Sequence, residues 1–240
     1  MAAVVALGSL SAAPTSAQSL REGLFGARPS DGRRMGAPPV ARYISEEGLR
    51  FTLDRSTARP LLKFDDSPEI FALQAQPAPR GDVIYKNDLG SPMLRATRLG
   101  GLTIFTEDRP GGSAAALAGE AQPIRLPVLG PQALLERLAQ ASARASRAAR
   151  RLIPFEADAT PASAPLVADA ALVASEAIVR ISKRSDARSL IGKISRVVVV
   201  EGKKPGAVLE RGVLRVTVAA DGGLSGRPSS DWIISVTARR

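Results

Sequence analysis

The spacing of apolar residues changes period twice along this chain, and few architectures accept such a pattern. Between residues 42 and 106 the period is two: Leu49, Phe51 and Leu53 alternate with Arg50, Thr52 and Asp54. That alternation puts apolar side chains on one face of a strand and polar ones on the other. Further strands are predicted at 61–64, 69–74, 83–86, 93–97 and 102–106. Turn signals divide them, namely Asp66-Ser67-Pro68, Pro79-Arg80-Gly81, Asn87-Asp88-Leu89-Gly90 and Gly100-Gly101. These residues tolerate positive φ or fix φ near a turn value. Gaps this short leave no room for a helical crossover, so the segment reads as an antiparallel meander.

Residues 107–130, rich in Gly, Pro and Ala, read as a surface loop. The period then becomes 3.6. Leu134, Leu135, Leu138, Ala141, Ala145, Ala148, Ala149 and Leu152 share one side of a helix that runs from near Pro131 to before Pro154. A second helix is predicted from about Pro165 to Lys183, with Val167, Ala170, Val173, Ala174, Ala177, Ile178 and Ile181 inward. Asp169 near its start and Arg180, Lys183 and Arg184 near its end suit the helix dipole. The tail returns to Val- and Ile-rich strands at 194–201, 208–218 and 231–237. The expected fold is α+β: antiparallel strands in the N-terminal and C-terminal parts, with two central helices packed on the sheet. At 240 residues the chain can bury a core without disulfides or a metal.

The first seventeen residues, MAAVVALGSLSAAPTSA, carry no charge and hold an apolar run over 2–10. Thr15 and Ala17 stand at the minus-three and minus-one places of a cut between Ala17 and Gln18, the layout of a signal peptide. A basic start is missing, as it would be if Met1 lay inside a longer leader; an ordinary apolar terminal element is the competing reading. Residues 18–41 contain the stretch GARPSDGRRMGAPPVA and read as a Pro/Gly/Arg-rich tether. A single α+β domain is expected over 42–240. After Gln18 no apolar run reaches 18 residues, so no membrane-spanning helix is expected.

The stretch GDVIYKNDLGSPMLRATRLGGLTIFTEDRPGG, residues 81–112, resembles a segment of a bacterial family of exported proteins catalogued only as a domain of unknown function. The leader followed by LREGLFG and a Pro-rich tether is similar too. The resemblance implies a bacterial envelope or extracellular setting, periplasmic or secreted, and brings no functional residue with it.

With no His and no Cys, a serine–histidine triad, a thiolate nucleophile, a zinc site of the usual kind and a non-haem iron triad are all excluded. Carboxylates cluster at Asp65, Asp66 and Glu69, at Asp82 and Asp88, and at Glu107 and Asp108. A glycosidase needs two carboxyls set about 5 to 9.5 Å apart across a cleft, a distance that sequence spacing does not fix. The plainer account is that they are turn residues bonding their own backbone. Ser189 and Lys193 would share a helical face and could form a Ser-Lys pair, a spacing that is commonplace. No phosphate-binding glycine motif and no alternating-carboxylate calcium loop occurs, so no cofactor and no metal is expected.

The net charge of +10 is unevenly placed: residues 18–130 carry +2 and residues 131–240 carry +8. On the first helix Arg137, Arg144 and Arg151 are seven apart with Arg147 between the last two, forming one stripe opposite the Leu-Ala face. Arg180, Lys183 and Arg184 extend the basic set, and these seven are the candidate anion-binding residues. Such a stripe suits an anionic envelope component or an acidic protein surface; an Arg-rich face that is merely solvated is the competing account. Nucleic acid is disfavoured, because only Phe155 and Trp232 of the aromatics lie in the basic half and neither sits in a charged stretch. The expectation is a non-enzymatic envelope or interaction protein with a basic face. The alternative is a carboxylate-dependent hydrolase of cell-wall or polysaccharide substrate.

Overall fold

The strand-rich half forms a single nine-stranded antiparallel sheet whose two edges are brought together by the chain itself. The computed structural model describes residues 37–239, so the leader, the Ala17–Gln18 cut and most of the tether lie outside the described residues. The sheet comprises β1 (Val40–Ser45), β2 (Arg50–Asp54), β3 (Leu61–Phe64), β4 (Ile70–Ala72), β5 (Gln74–Pro77), β6 (Val83–Lys86), β7 (Pro92–Ala96), β8 (Leu102–Ile104) and β9 (Ser113–Glu120). Its order is β4-β3-β2-β1-β9-β8-β7-β6-β5. The two outermost strands, β4 and β5, are separated only by Leu73, whose N–H donates to the Pro60 carbonyl at 2.7 Å. They act as one strand that pairs β3 with its first half and β6 with its second, so the sheet curls into a barrel. Eight such strands enclose a space that side chains fill. Phe51, Leu53, Leu62, Leu73, Leu94 and Ile104 fill it, all fully buried.

β9 corrects the expected loop at 107–130. It is eight residues long and pairs with both β8 and β1, so it joins the two halves of the meander. The sequence Ser113–Glu120, SAAALAGE, is made of small residues with weak strand preference. Its pairing comes from the two strands on either side.

The remaining elements surround a second core. They are α1 (Pro131–Ala149), β10 (Phe155–Ala157), α2 (Ala164–Ser182), α3 (Ala187–Gly192), β11 (Arg196–Glu201), β12 (Gly206–Glu210), β13 (Val213–Val218) and α4 (Ser230–Ala238). The strands form a separate four-stranded sheet in the order β10-β11-β13-β12. Val197, Val199, Leu214 and Val216 from this sheet share one core with Leu138, Ala141 and Ala145 of α1 and with the buried face of α2. Thirteen of the nineteen α2 residues are buried, as befits a helix enclosed by sheet and neighbours. The fold is α+β, with both central helices on the smaller sheet.

Four expectations for this half need correction. The C-terminal strands are not all antiparallel: β10 with β11 and β11 with β13 are parallel, and only β12 with β13 is antiparallel. The run 208–218 is a hairpin, turned at Arg211 (φ 49°) and Gly212 (φ 83°). Two successive positive φ values make the tight turn whose twist suits antiparallel strands. Residues 231–237 lie in α4, not in a strand. Leu135 of α1 and Leu152 beyond its end, both read as part of the inward helical face, are 66% and 74% exposed.

Among the described residues no helix is long and apolar enough to cross a membrane.

Candidate functional site

Two concavities flank α2. One is a basic cleft between the outside of the barrel and the helices, about 500 Å3 in volume. Three of the stripe residues, Arg137, Arg144 and Arg147 on α1, line it. Lys63 and Arg125 join them from distant parts of the chain. Lys63 lies on β3 between Leu62 and Phe64, which point into the barrel, so the alternation of the strand sends it outward. Arg125 belongs to the segment linking β9 to α1. That segment is pinned to the barrel where the Ile124 N–H donates to Asp54 Oδ2 at 2.8 Å. Burial alone would raise the Asp54 carboxyl, but donors from Ser56 and Ile124 hold it below the usual carboxylate range.

The cleft is short of acid. Asp169 lines it, but that carboxylate is taken by the buried Arg227 guanidinium. Glu176 of α2 pairs with Arg144 and fixes its guanidinium. Lys63, Arg125, Arg137 and Arg147 are exposed and make no ion pair among the described residues. No aromatic side chain lines the cleft.

The other candidate basic residues lie elsewhere. Arg151 donates to the carbonyl of Ile191 at 2.8 Å and to that of Ile194, closing off the end of α3. Lys183 is exposed beyond the end of α2. Arg184 pairs with Asp186 at 2.9 Å. Arg180 sits at the mouth of the barrel, between α2 and α4. The structure thus gathers three of the seven predicted residues in this cleft and leaves the other four outside it, with Arg180 and Arg184 together lining the second concavity. Lys63 and Arg125 escaped notice because each is a lone cation in its own stretch, with no local sign that the fold brings it to α1.

The second concavity, about 700 Å3, opens at the barrel mouth. The β3–β4, β6–β7 and β8–β9 turns form its rim, with the last turns of α2 and α4 above. A buried polar network forms part of its wall. Glu69 is 1% exposed and accepts from the N–H of Ser230 at 2.9 Å and from its hydroxyl. Arg227 lies 3.9 Å away. Burial pushes the Glu69 carboxyl up to about 7, with Arg227 and Ser230 opposing and Asp231 adding to the rise. Asp231 accepts from Arg180 at 2.7 Å and from Asn87 at 2.9 Å.

Asp82 and Asp88 have structural partners. Asp82 takes Arg95 at 2.5 and 2.9 Å, and that hydrogen bond holds it below the usual range. Asp88 accepts from the N–H and hydroxyl of Ser229, the residue that caps α4. Asp65 and Asp66 are exposed in their turn. Lys193 donates to the carbonyls of Thr237 at 3.3 Å and Arg239 at 3.2 Å, which ties it to the end of α4. Among the described residues no group of carboxylates could hold a metal ion.

A closed meander and a helix-covered mixed sheet with a basic cleft beside them define an α+β protein built around two cores. The chain belongs to the family described as a domain of unknown function (DUF4908), whose model matches residues 19–237. No curated protein and no solved structure matches the chain.

Proposed function

We propose that this is an exported, non-enzymatic protein of the bacterial envelope that holds an anionic polysaccharide in the cleft beside α1. The observation that carries this reading is the convergence of Lys63, Arg125, Arg137, Arg144 and Arg147 on one concavity. Like charges gathered in a cleft repel one another, and an anion relieves the repulsion while the walls focus the field. Concavity favours a chain bearing discrete carboxylates or phosphates over a flat bilayer. The lack of aromatic lining leaves no platform for stacked bases.

Export rests on the signal-peptide layout of residues 1–17, and the family match begins at Ser19, just past the expected cut. Expression in a secretion-competent bacterium followed by N-terminal sequencing tests it: the mature chain begins at Gln18, and an intact Met1 contradicts export. For the cleft, calorimetric titration with polygalacturonate, against neutral dextran as control, is the direct test. Binding to the acidic polymer alone, lost when Arg125, Arg137 and Arg147 become Ala together, is the expected result.

A second reading, hydrolysis by a carboxyl pair, draws on one observation: Glu69 lines a cavity with its carboxyl pushed up to about 7, the property of a general acid. Against it, both oxygens of Glu69 are engaged by Ser230, and both of Asp231 by Arg180 and Asn87. Release of reducing ends from a wall polymer, abolished in Glu69→Gln, would favour this reading over the first.

A further inference from the structure

The cavity at the barrel mouth has a composition unlike that of the basic cleft. Its wall is largely carbon, supplied by Phe64, Phe71, Phe105, Met93, Leu89 and Ile234. A cavity of about 700 Å3 is of a size that encloses a small organic molecule, and barrel mouths are a recurrent place for one.

Two cations line the cavity: Arg184 is paired with Asp186, and Arg180 is held ready at the polar end. Nη1 of Arg180 donates to Ser230 Oγ at 2.6 Å and to Asp231 Oδ1 at 2.7 Å, both on α4, which fixes the plane of the guanidinium. Nη2 is engaged by Glu107, a β8–β9 loop residue whose side chain is 84% exposed. An ion pair to so exposed an acid is weak and readily exchanged. A ligand carboxylate can take the same position with the same charge-assisted geometry.

The other acids nearby do not present free charge. Glu176 is paired with Arg144, Asp231 is bonded on both oxygens, and Glu69 is buried behind Ser230. Ser235 also lines the cavity, and its buried hydroxyl has no hydrogen-bond partner among the described residues.

We propose that the barrel mouth binds a medium-chain fatty acid, its carboxylate on Arg180 in place of Glu107 and its chain among Phe64, Phe71, Phe105 and Met93. The displaced Glu107 swings into solvent.

Calorimetric titration of the full chain with decanoate, kept below its micellar concentration, tests this against decanol and decyltrimethylammonium. Decanoate is expected to bind one per chain and at least about tenfold more tightly than either, the margin a charge-assisted hydrogen bond supplies. Glu107→Gln removes the internal competitor from a surface position; it should tighten decanoate several-fold and leave decanol unchanged. Met93→Trp, which fills the cavity, should abolish binding of both. Equal affinity for decanoate and decanol, or weaker decanoate binding in Glu107→Gln, would overturn the proposal. The same titration on the variant with Arg125, Arg137 and Arg147 changed to Ala should be unaltered, and loss of decanoate binding there would also overturn it.

Discussion

Arg227 shows most clearly how single residues bind the two cores together. Its side chain is 1% exposed, pairs with Asp169 of α2, and donates to the Ile70 carbonyl of β4 at 2.7 Å. Removing one partner of a buried pair leaves charge without compensation, so Arg227→Met should destabilise the fold by about 3 to 5 kcal/mol. Urea denaturation followed by circular dichroism measures this. Glu69 gives a pH signature. Its carboxyl is raised from the ordinary 4.5 to about 7 by burial, so the folded protein binds a proton that the unfolded chain releases. Stability from this group is complete below about pH 4.5 and is lost as pH rises through about 7, by on the order of 3 kcal/mol. Glu69→Gln should flatten that slope in thermal melts between pH 4.5 and 8; an unchanged slope would assign it to other groups. None of this was legible in the sequence. Arg227 stands in GLSGRPSSD as an ordinary loop arginine, and its partners lie 58 and 157 residues away.

Elements were legible where one signal dominated. Alternating residues gave β2, and the 3.6-residue period gave both ends of α2 within a residue and the start of α1, whose end at Ala149 falls short of the expected run to before Pro154. Where two signals compete, the local one misleads. Ile233, Ile234, Val236 and Thr237 favour a strand by β-branching, yet Ser229 caps the segment by accepting from the Trp232 N–H and sets it as α4. Asp88 in turn fixes Ser229 from the barrel side. Ser229→Ala removes the cap and one of the Asp88 bonds, with an expected loss of about 1 to 2 kcal/mol in urea midpoint measurements. The β12–β13 turn is legible afterwards in Arg211-Gly212, whose first residue lacks the side-chain chemistry that eases positive φ. Arg211→Asn should therefore raise the melting temperature slightly, and a fall would contradict the turn geometry.

At the scale of the whole molecule, each core belongs to its own sheet, and the chain after α3 returns to clamp them together through residues 227–231. Sequence spacing could not show that the two strand-rich segments form separate sheets, nor that the meander closes, because closure depends on β4 and β5 meeting at Leu73. The same limit applied to the candidate site. A helical stripe was visible, but its division into a cleft-lining set and residues engaged elsewhere arises from where α1 packs. Lys63 and Arg125 enter only through the barrel. The salt dependence of polygalacturonate binding tests the central claim most directly, because exposed cations gathered in a cleft act through a field that added ions screen. Affinity should fall at least about tenfold between roughly 50 and 200 mM sodium chloride. Affinity that stays flat across that range would contradict an electrostatic cleft.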